Sequence, residues 1–578
     1  ATGAVTIATS GLPGGVTPTF TLTGTGSPRS ASGAGTVSAL TVGSWTITAN
    51  TIVSGTTTYT PSPSSLSVSI TPNGTATASF AYTATVAPTN FTITNVYLTQ
   101  AIQKLDNAVT LVAGRDALLR VFVQANAANT ARPDVRVRIY DGASLLQTTT
   151  IAAPESSVRT AIAEGTLSST WNLLVAGANI RTTPRVLVDL DPTLAITDAD
   201  RRDNTWPNNG TPHSVSVNTV PTFSVRFVPI VVGALTGNVS AGNKGSFLSS
   251  TSRLFPLGTV SSDVRAPFTS SATDIQSTDG NGQWLTVLNE VNALRTTDGA
   301  PSTMHYYGVL KVSYTSGIAG YGYVPGRAAV GWDHLPSGDE VAAHEWGHNF
   351  SRSHAPCGTT GDASYPYAGG LINFWGWNSL SNTLVSPTTP DIMGYCRTPW
   401  ISDYTWSAVM QYRSASGGVS SPSAPSEGLL VWGRVVNGQI RLEPAFRVTA
   451  PVSATAVSAT AVSASHRIEL LDADGTTLLD TPIEAQRVDH ATATDERQFA
   501  VIVPWSTTLE ARLASIRVRD ARSPLSAATR QSARMTAPGG TGGTPVAPPL
   551  QAQVDRTTDG RARVTWNRSA YPMAMVRD

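Results

Sequence analysis

Eleven residues constrain this chain more than any other stretch: His344-Glu345-Trp346-Gly347-His348-Asn349-Phe350-Ser351-Arg352-Ser353-His354. On a helix, His344 and His348 lie one turn apart on one face, a spacing at which two imidazoles can grip a single metal ion. Glu345 stands beside the first of them, placed to hydrogen-bond a water on the ion rather than to bind the ion itself. After His348 the helix has to end and the chain has to turn for His354 to complete a set of three. Three neutral imidazoles and one position open to water make the composition of a catalytic zinc site, whereas a structural site usually closes its shell with cysteines. Just upstream, Ser337 and Glu340 have the S-x-x-E spacing of a capping box, so a helix is expected to start there. Val341, His344, Glu345 and His348 then follow on one face. The alternative, a surface helix with chance histidines, is weakened by the third histidine at its fixed offset.

A second element weakens it further. About forty residues downstream lies Asp391-Ile392-Met393-Gly394-Tyr395-Cys396. The long histidine motif followed by a methionine turn resembles the metzincin clan of zinc endopeptidases. His-Glu-x-Gly-His-Asn-Phe with the later histidine is most similar to the reprolysin branch, while Met393 followed by Tyr395 is more like the astacin, serralysin and pappalysin branches. The mixture suggests a separate secreted bacterial family. The resemblance implies that His344, His348 and His354 hold one zinc ion and that Glu345 is the general base. It further implies that Met393 forms an apolar floor beneath the ligands, and that Tyr395 ligates zinc or stabilises the tetrahedral intermediate. The clan has glycine where this chain has Ser351. Glycine suits a backbone conformation that costs other residues on the order of 1 kcal/mol, small beside apparent zinc-binding energies of roughly 10 kcal/mol or more. Ser351 is therefore read as tolerated strain or an altered turn.

The chain has 578 residues and two cysteines, each three residues after a motif residue: Cys357 after His354 and Cys396 after Met393. A disulfide between them would tie the third-ligand turn to the methionine turn, at roughly 4 kcal/mol in the chain-entropy model. Two buried thiols are the other reading. A disulfide implies an oxidising compartment, and with Ala1 not preceded by a charged and apolar leader, a secreted protein with its signal peptide removed is expected. Charged residues make up only 13% and the net charge is +1, so no field argues for nucleic acid or anionic lipid. No membrane span is expected: the apolar run from Phe223 to Leu235 is broken by Arg226.

Abundant Ser, Thr, Gly and Pro with short alternating runs point to β-sandwich modules. The expected architecture is multidomain, with an α+β metzincin-like catalytic domain at 221–418 flanked by all-β sandwich modules at 1–87, 88–220 and 425–536. An incomplete fibronectin-like tail at 550–578 carries Arg561 to Trp566. The first module has one charged residue, Arg29, a strand at Ser65–Ile70 and turns at Pro61–Pro63 and Pro72–Gly74. It resembles the carboxypeptidase-regulatory or immunoglobulin-like accessory modules of secreted bacterial proteins. In the second, Asp189, Asp191, Asp198, Asp200, Asp203 and Asn204 could bind Ca2+, with solvated loop acids as the alternative.

Within 221–418, buried strands are expected at Phe223–Val232 and Tyr306–Tyr314. An apolar helical stripe runs through Trp284, Leu285, Leu288, Val291 and Leu294, and a short helix spans Asp403–Arg413. The resemblance makes Ala328–Trp332 the antiparallel edge strand along which an extended substrate pairs. His305 and His334 are second-shell candidates or ordinary histidines. Tyr365, Tyr367, Trp375 and Trp377 would wall the substrate site or simply pack. Linkers are expected at Ala87–Asn90, Ser420–Glu427 and Ala537–Pro549, a hairpin turn at Asp472–Gly475, and a low-complexity insertion where Val452-Ser453-Ala454-Thr455-Ala456 recurs at 457.

Together these readings predict a secreted zinc endopeptidase acting on extracellular proteins or glycoproteins, through a water on the zinc ion and the Glu345 base. The alternatives are a protease restricted to glycoproteins or mucins, and an adhesin or glycan-binding protein with a vestigial metal site.

Overall fold

Alternating apolar and polar residues fold the first 86 residues into a five-stranded and a four-stranded sheet that close on one core around Phe20, Trp45, Ile47 and Phe80. Ser65–Ile70 is a strand, and Asn73 in the left-handed region makes the turn after it. A second pair of sheets encloses Val121, Val137, Trp171 and Val188. There Arg120 is fully buried, and its guanidinium is satisfied by Tyr97, Thr170 and the Glu164 carbonyl. The computed structural model describes residues 1–281, 283–415, 425–451, 464–489, 495–521, 527–531, 553–556 and 562–565. The 452–463 repeat, the 537–549 linker, Gly282, Trp566 and most of the 550–578 tail lie outside them.

The candidate site sits on a twelve-stranded sheet. Its first part comprises β1 (Phe223–Val232), β2 (Val260–Val264), α1 (Gln283–Thr297), β3 (Met304–Leu310), β4 (Gly320–Val324), β5 (Ala328–Trp332), α2 (Ser337–Asn349) and α3 (Asp403–Ala415). β1 is apolar almost throughout because both its faces are covered. Its one charge, Arg226, pairs with Asp263 of β2 at 2.6 Å. The order is β2-β1-β3-β5-β4, parallel except for β4. The sheet then continues into the C-terminal module through β7 (Gln486–Val488), β8 (Glu496–Pro504) and β6 (Pro425–Val436). The protein is thus multidomain and β-rich, and one sheet crosses a boundary at which separate modules were expected.

Four local expectations are corrected. β5 is not an edge strand: it lies between β3 and β4, fully buried, and the antiparallel strand is the glycine-rich β4. No capping box forms. The helix is preceded by Pro336, already in a helical conformation, and the Ser337 hydroxyl donates to the His334 carbonyl at 2.9 Å. The strand expected to run to Tyr314 stops at Leu310. Pro425–Glu427 open β6 instead of belonging to a linker. By contrast, the stripe on α1 is buried at Trp284, Leu288, Val291 and Leu294, with Leu285 only half-buried against the same core. α3 turns Trp406, Val409 and Met410 inward, and the hairpin turn closes at Gly475.

α2 is anchored by Trp346, which is fully buried against the rings of Tyr307, Phe223 and Phe227 at 4.9, 5.3 and 6.0 Å. Replacing it removes the largest apolar group on the helix that carries His344 and His348. Trp346→Ala is expected to cost about 3–5 kcal/mol in chemical denaturation. A loss under about 1 kcal/mol would mean that this cluster does not hold the helix.

Candidate metal centre

α2 places His344 and His348 one turn apart, and the chain then reverses at Ser351, whose φ of 70° lies in the left-handed region. The turn is closed by Ser351 N–H to the His348 carbonyl (2.8 Å) and Arg352 N–H to the Gly347 carbonyl (3.0 Å). His354 returns to the same place: ligand atoms of the three histidines lie within 4.8 Å of one another, and all three residues are buried. Nδ1 of His344 lies 2.8 Å from the Ile392 carbonyl and Nδ1 of His348 lies 2.7 Å from the Arg352 carbonyl. A carbonyl only accepts, so each Nδ1 carries the proton and each Nε2 presents a lone pair. Those two Nε2 atoms are 3.1 Å apart.

That geometry supplies a test of fit. Two ligands at about 2.0–2.1 Å from one tetrahedral ion stand roughly 3.3 Å apart, and two lone pairs facing each other at this distance call for a cation between them. Protonation does not compete. Burial, with His354 adding to it, holds His344 down to about 4; it pushes His348 well below the ordinary value and lowers His354. The donor set is neutral nitrogen, as zinc prefers.

Glu345 is buried beside them. Burial, and then the carboxylate of Asp489, push its carboxyl well above the usual range. β4 crosses it with two glycines: a Cβ at Gly320 would stand 2.6 Å from Glu345 Oε1, and one at Gly322 would stand 2.8 Å from the Glu345 carbonyl oxygen. On the same helix as Glu345, Gly347 packs against buried Met393: an added Cβ there would come within 2.2 Å of the methionine sulfur. Cys357 and Cys396 form a disulfide, with Cα atoms 5.7 Å apart. Tyr395 is 48% exposed, its ring 4.8 Å from that of His354. Burial and then the charge of Glu345 push its phenol well above the ordinary value, so it remains a donor.

No protein family and no curated protein matches the chain. Among solved structures it is similar to the CARDB domain of a Pyrococcus furiosus protein in complex with di-metal ions. The two are 13% identical over 22% of this chain and 89% of that one, with a TM-score of 0.15. It is also similar to DUF3823 family proteins from Parabacteroides merdae (14% identity, 33% and 89% coverage, TM-score 0.11) and Bacteroides ovatus (10% identity, 38% and 98% coverage, TM-score 0.11). Likenesses this distant bear on neither the metal centre nor its chemistry.

Other candidates are engaged elsewhere. Asp189 accepts from Arg136 and Arg138, and Asp191 from the amides of Ala195 and Ile196. Asp198 accepts from the Phe91 amide and Asn204, Asp200 from Arg202, and Asp203 from Asn90 and Thr92. Asp189 thus bridges two strands, Asp191 and Asp200 bond within the loop, and Asp198 and Asp203 tie that loop to Asn90–Thr92. Among the described residues, the cluster of three or more potential metal-ligating side chains is the histidine set. His305 packs between Phe223 and Phe350 near Arg327, and His334 meets the Tyr314 carbonyl. Tyr365 and Tyr367 meet edge to face, Trp375 packs over Gly165 of the second module, and Trp377 is buried. Sequence reasoning missed Gly320, Gly322 and Asp489. Glycine on alternate positions of Gly320-Tyr321-Gly322-Tyr323 was a signal of close backbone approach; Asp489 carried none.

Gly347→Ala would drive a methyl group into the Met393 sulfur and is expected to cost about 1–3 kcal/mol. Equilibrium unfolding checks this, and an unchanged midpoint would remove Met393 as the floor. Because His344 is held down to about 4, against an ordinary value of about 6.5, protons begin to displace metal only below the usual histidine range. Equilibrium dialysis from pH 8 to pH 6 should find nearly constant zinc affinity; a steep fall between pH 7 and 6 would contradict the neutral, buried set.

Proposed function

We propose that this protein is a secreted, metzincin-like zinc endopeptidase that hydrolyses peptide bonds in extracellular proteins or glycoproteins. The observation that carries the reading is the trio of neutral, buried imidazoles, two with Nε2 atoms 3.1 Å apart, beside the buried carboxyl of Glu345. His344, His348 and His354 would hold the ion. An ion held there would supply Lewis acidity, making a nearby water more acidic and polarising a carbonyl.

The rest belongs to the chain. Glu345 takes the proton of the attacking water and passes it to the leaving amine. Its displacement suits that exchange, because a carboxyl that burial and the Asp489 charge push up holds an accepted proton more firmly than an ordinary one. Tyr395, kept protonated, donates to the carbonyl oxygen as negative charge grows there, a contribution of roughly 2–4 kcal/mol. Gly320 of β4, one pair beyond the Gly322 carbonyl that the Asp489 amide takes, would offer backbone to an extended substrate beside Glu345. The Cys357–Cys396 disulfide supports an oxidising destination. Among the described residues no helix is long and apolar enough to cross a membrane.

Glu345→Ala should retain one zinc per chain by mass spectrometry and lose about 10²–10⁴-fold in hydrolysis of a peptide library. Chelation of the wild type should abolish cleavage and added zinc should restore it. Hydrolysis by the alanine variant at the wild-type rate would sink the role of Glu345, and cleavage indifferent to chelation would sink the metallopeptidase reading.

A further inference from the structure

The C-terminal module reaches into the metal centre. β7 continues the sheet beyond β4, with Val488 opposite Tyr323 and Arg487 opposite Val324. One residue further on, the Asp489 amide donates to the Gly322 carbonyl at 3.2 Å, so the backbone sets Asp489 against the strand that crosses Glu345. A side chain at 322 would crowd the Glu345 backbone and, at 3.4 Å, the Cβ of His348. The Asp489 carboxylate places Oδ2 3.0 Å from Nδ1 of His348 and 3.6 Å from Nδ1 of His354. Its Oδ1 stands 3.9 Å from the Arg487 guanidinium, and the side chain is only 14% exposed.

We infer that Asp489 is a positioning residue of the metal centre, contributed by the C-terminal module: its carboxylate sets a negative charge beside Nδ1 of His348, whose proton goes to the Arg352 carbonyl, and faces the ring of His354. A carboxylate on the far nitrogen of a ligand histidine fixes the tautomer, orients the ring and raises the basicity of the ligating nitrogen. One oxygen lies within 3.6 Å of Nδ1 of two of the three rings. A carboxylate that blocked the site would have to face the Nε2 atoms. Asp489 instead sits on the opposite side of His348, and it does not belong to the grouped ligand atoms. The β-module is therefore part of the metal centre and not an appendage to it.

This inference rests on the metallopeptidase reading, and its test separates the two. Zinc affinity of the full-length wild type, Asp489→Asn and Asp489→Glu is measured by competition with a chromophoric chelator. Visible spectra of the Co2+-loaded proteins and peptide hydrolysis are recorded alongside. Asp489→Asn, which keeps the shape and removes the charge, should weaken zinc binding about 10–100-fold, alter the Co2+ spectrum and lower kcat more than it changes KM. Asp489→Glu should recover part of each loss. Should the asparagine variant fail to fold, Asp489→Gln and Asp489→Glu, equal in length, carry the same comparison. A wild type that binds zinc and cleaves peptides while Asp489→Asn does both equally well overturns the role of Asp489 alone. Faster cleavage by Asp489→Asn also overturns it, making the segment a plug. A wild type that binds no zinc brings down both readings.

Discussion

Two backbone carbonyls decide which nitrogens of the histidine pair face each other. Ile392 takes the Nδ1 proton of His344 and Arg352 takes that of His348, and only then do two Nε2 lone pairs face each other. Neither carbonyl belongs to the helix that carries the imidazoles. One comes from the methionine turn, the other from the reversal after His348. The centre therefore depends on holding two loops against α2, and three devices do so: the Ala355 amide on the Met393 carbonyl, Met393 seated on Gly347, and the Cys357–Cys396 bond. Removing side-chain volume at position 347 is what lets the turn come that close. A metal site with ligands on one helix and one loop would otherwise leave its ring orientations free.

The parts of this arrangement set by short-range spacing were legible before any coordinates. One helical turn separates His344 from His348, a fixed offset brings back His354, and each cysteine follows its motif residue by three positions. Ser351 was readable as strained because the resemblance placed glycine there, and its φ of 70° bears out that reading. The capping box was not so constrained. Pro336 arrives with a φ of −83° and a ψ of −14°, so the helical conformation begins one residue early and Ser337 turns its hydroxyl back to His334. The edge strand was misassigned for a related reason. The resemblance placed it at Ala328–Trp332, whereas the antiparallel strand is Gly320–Val324, whose glycines let it cross a buried carboxyl. Asp489 had no local signature, since its place depends on which strand finds which edge across the whole chain.

The continuation of the sheet has its own physical cause. An antiparallel strand left at the end of a sheet exposes a row of unpaired amides and carbonyls, which invites aggregation unless it is covered. β4 would be such a strand if the domain stopped after α3. β7 covers its far half, Val488 joins the core formed by Tyr321, Tyr323 and Trp332, and the Tyr323 hydroxyl meets the Gln498 side chain in the buried interface. The near half, Gly320 to Gly322, is where the Glu345 carboxyl lies against the strand. One module thus closes the edge where pairing would be a liability and leaves its end beside the histidines. The same hydrogen-bond register that protects the strand determines that the next residue, Asp489, arrives at His348. A change in that register by one position would turn the carboxylate to the other face of the sheet, so the protection of the edge and the composition of the metal centre are fixed by a single pairing.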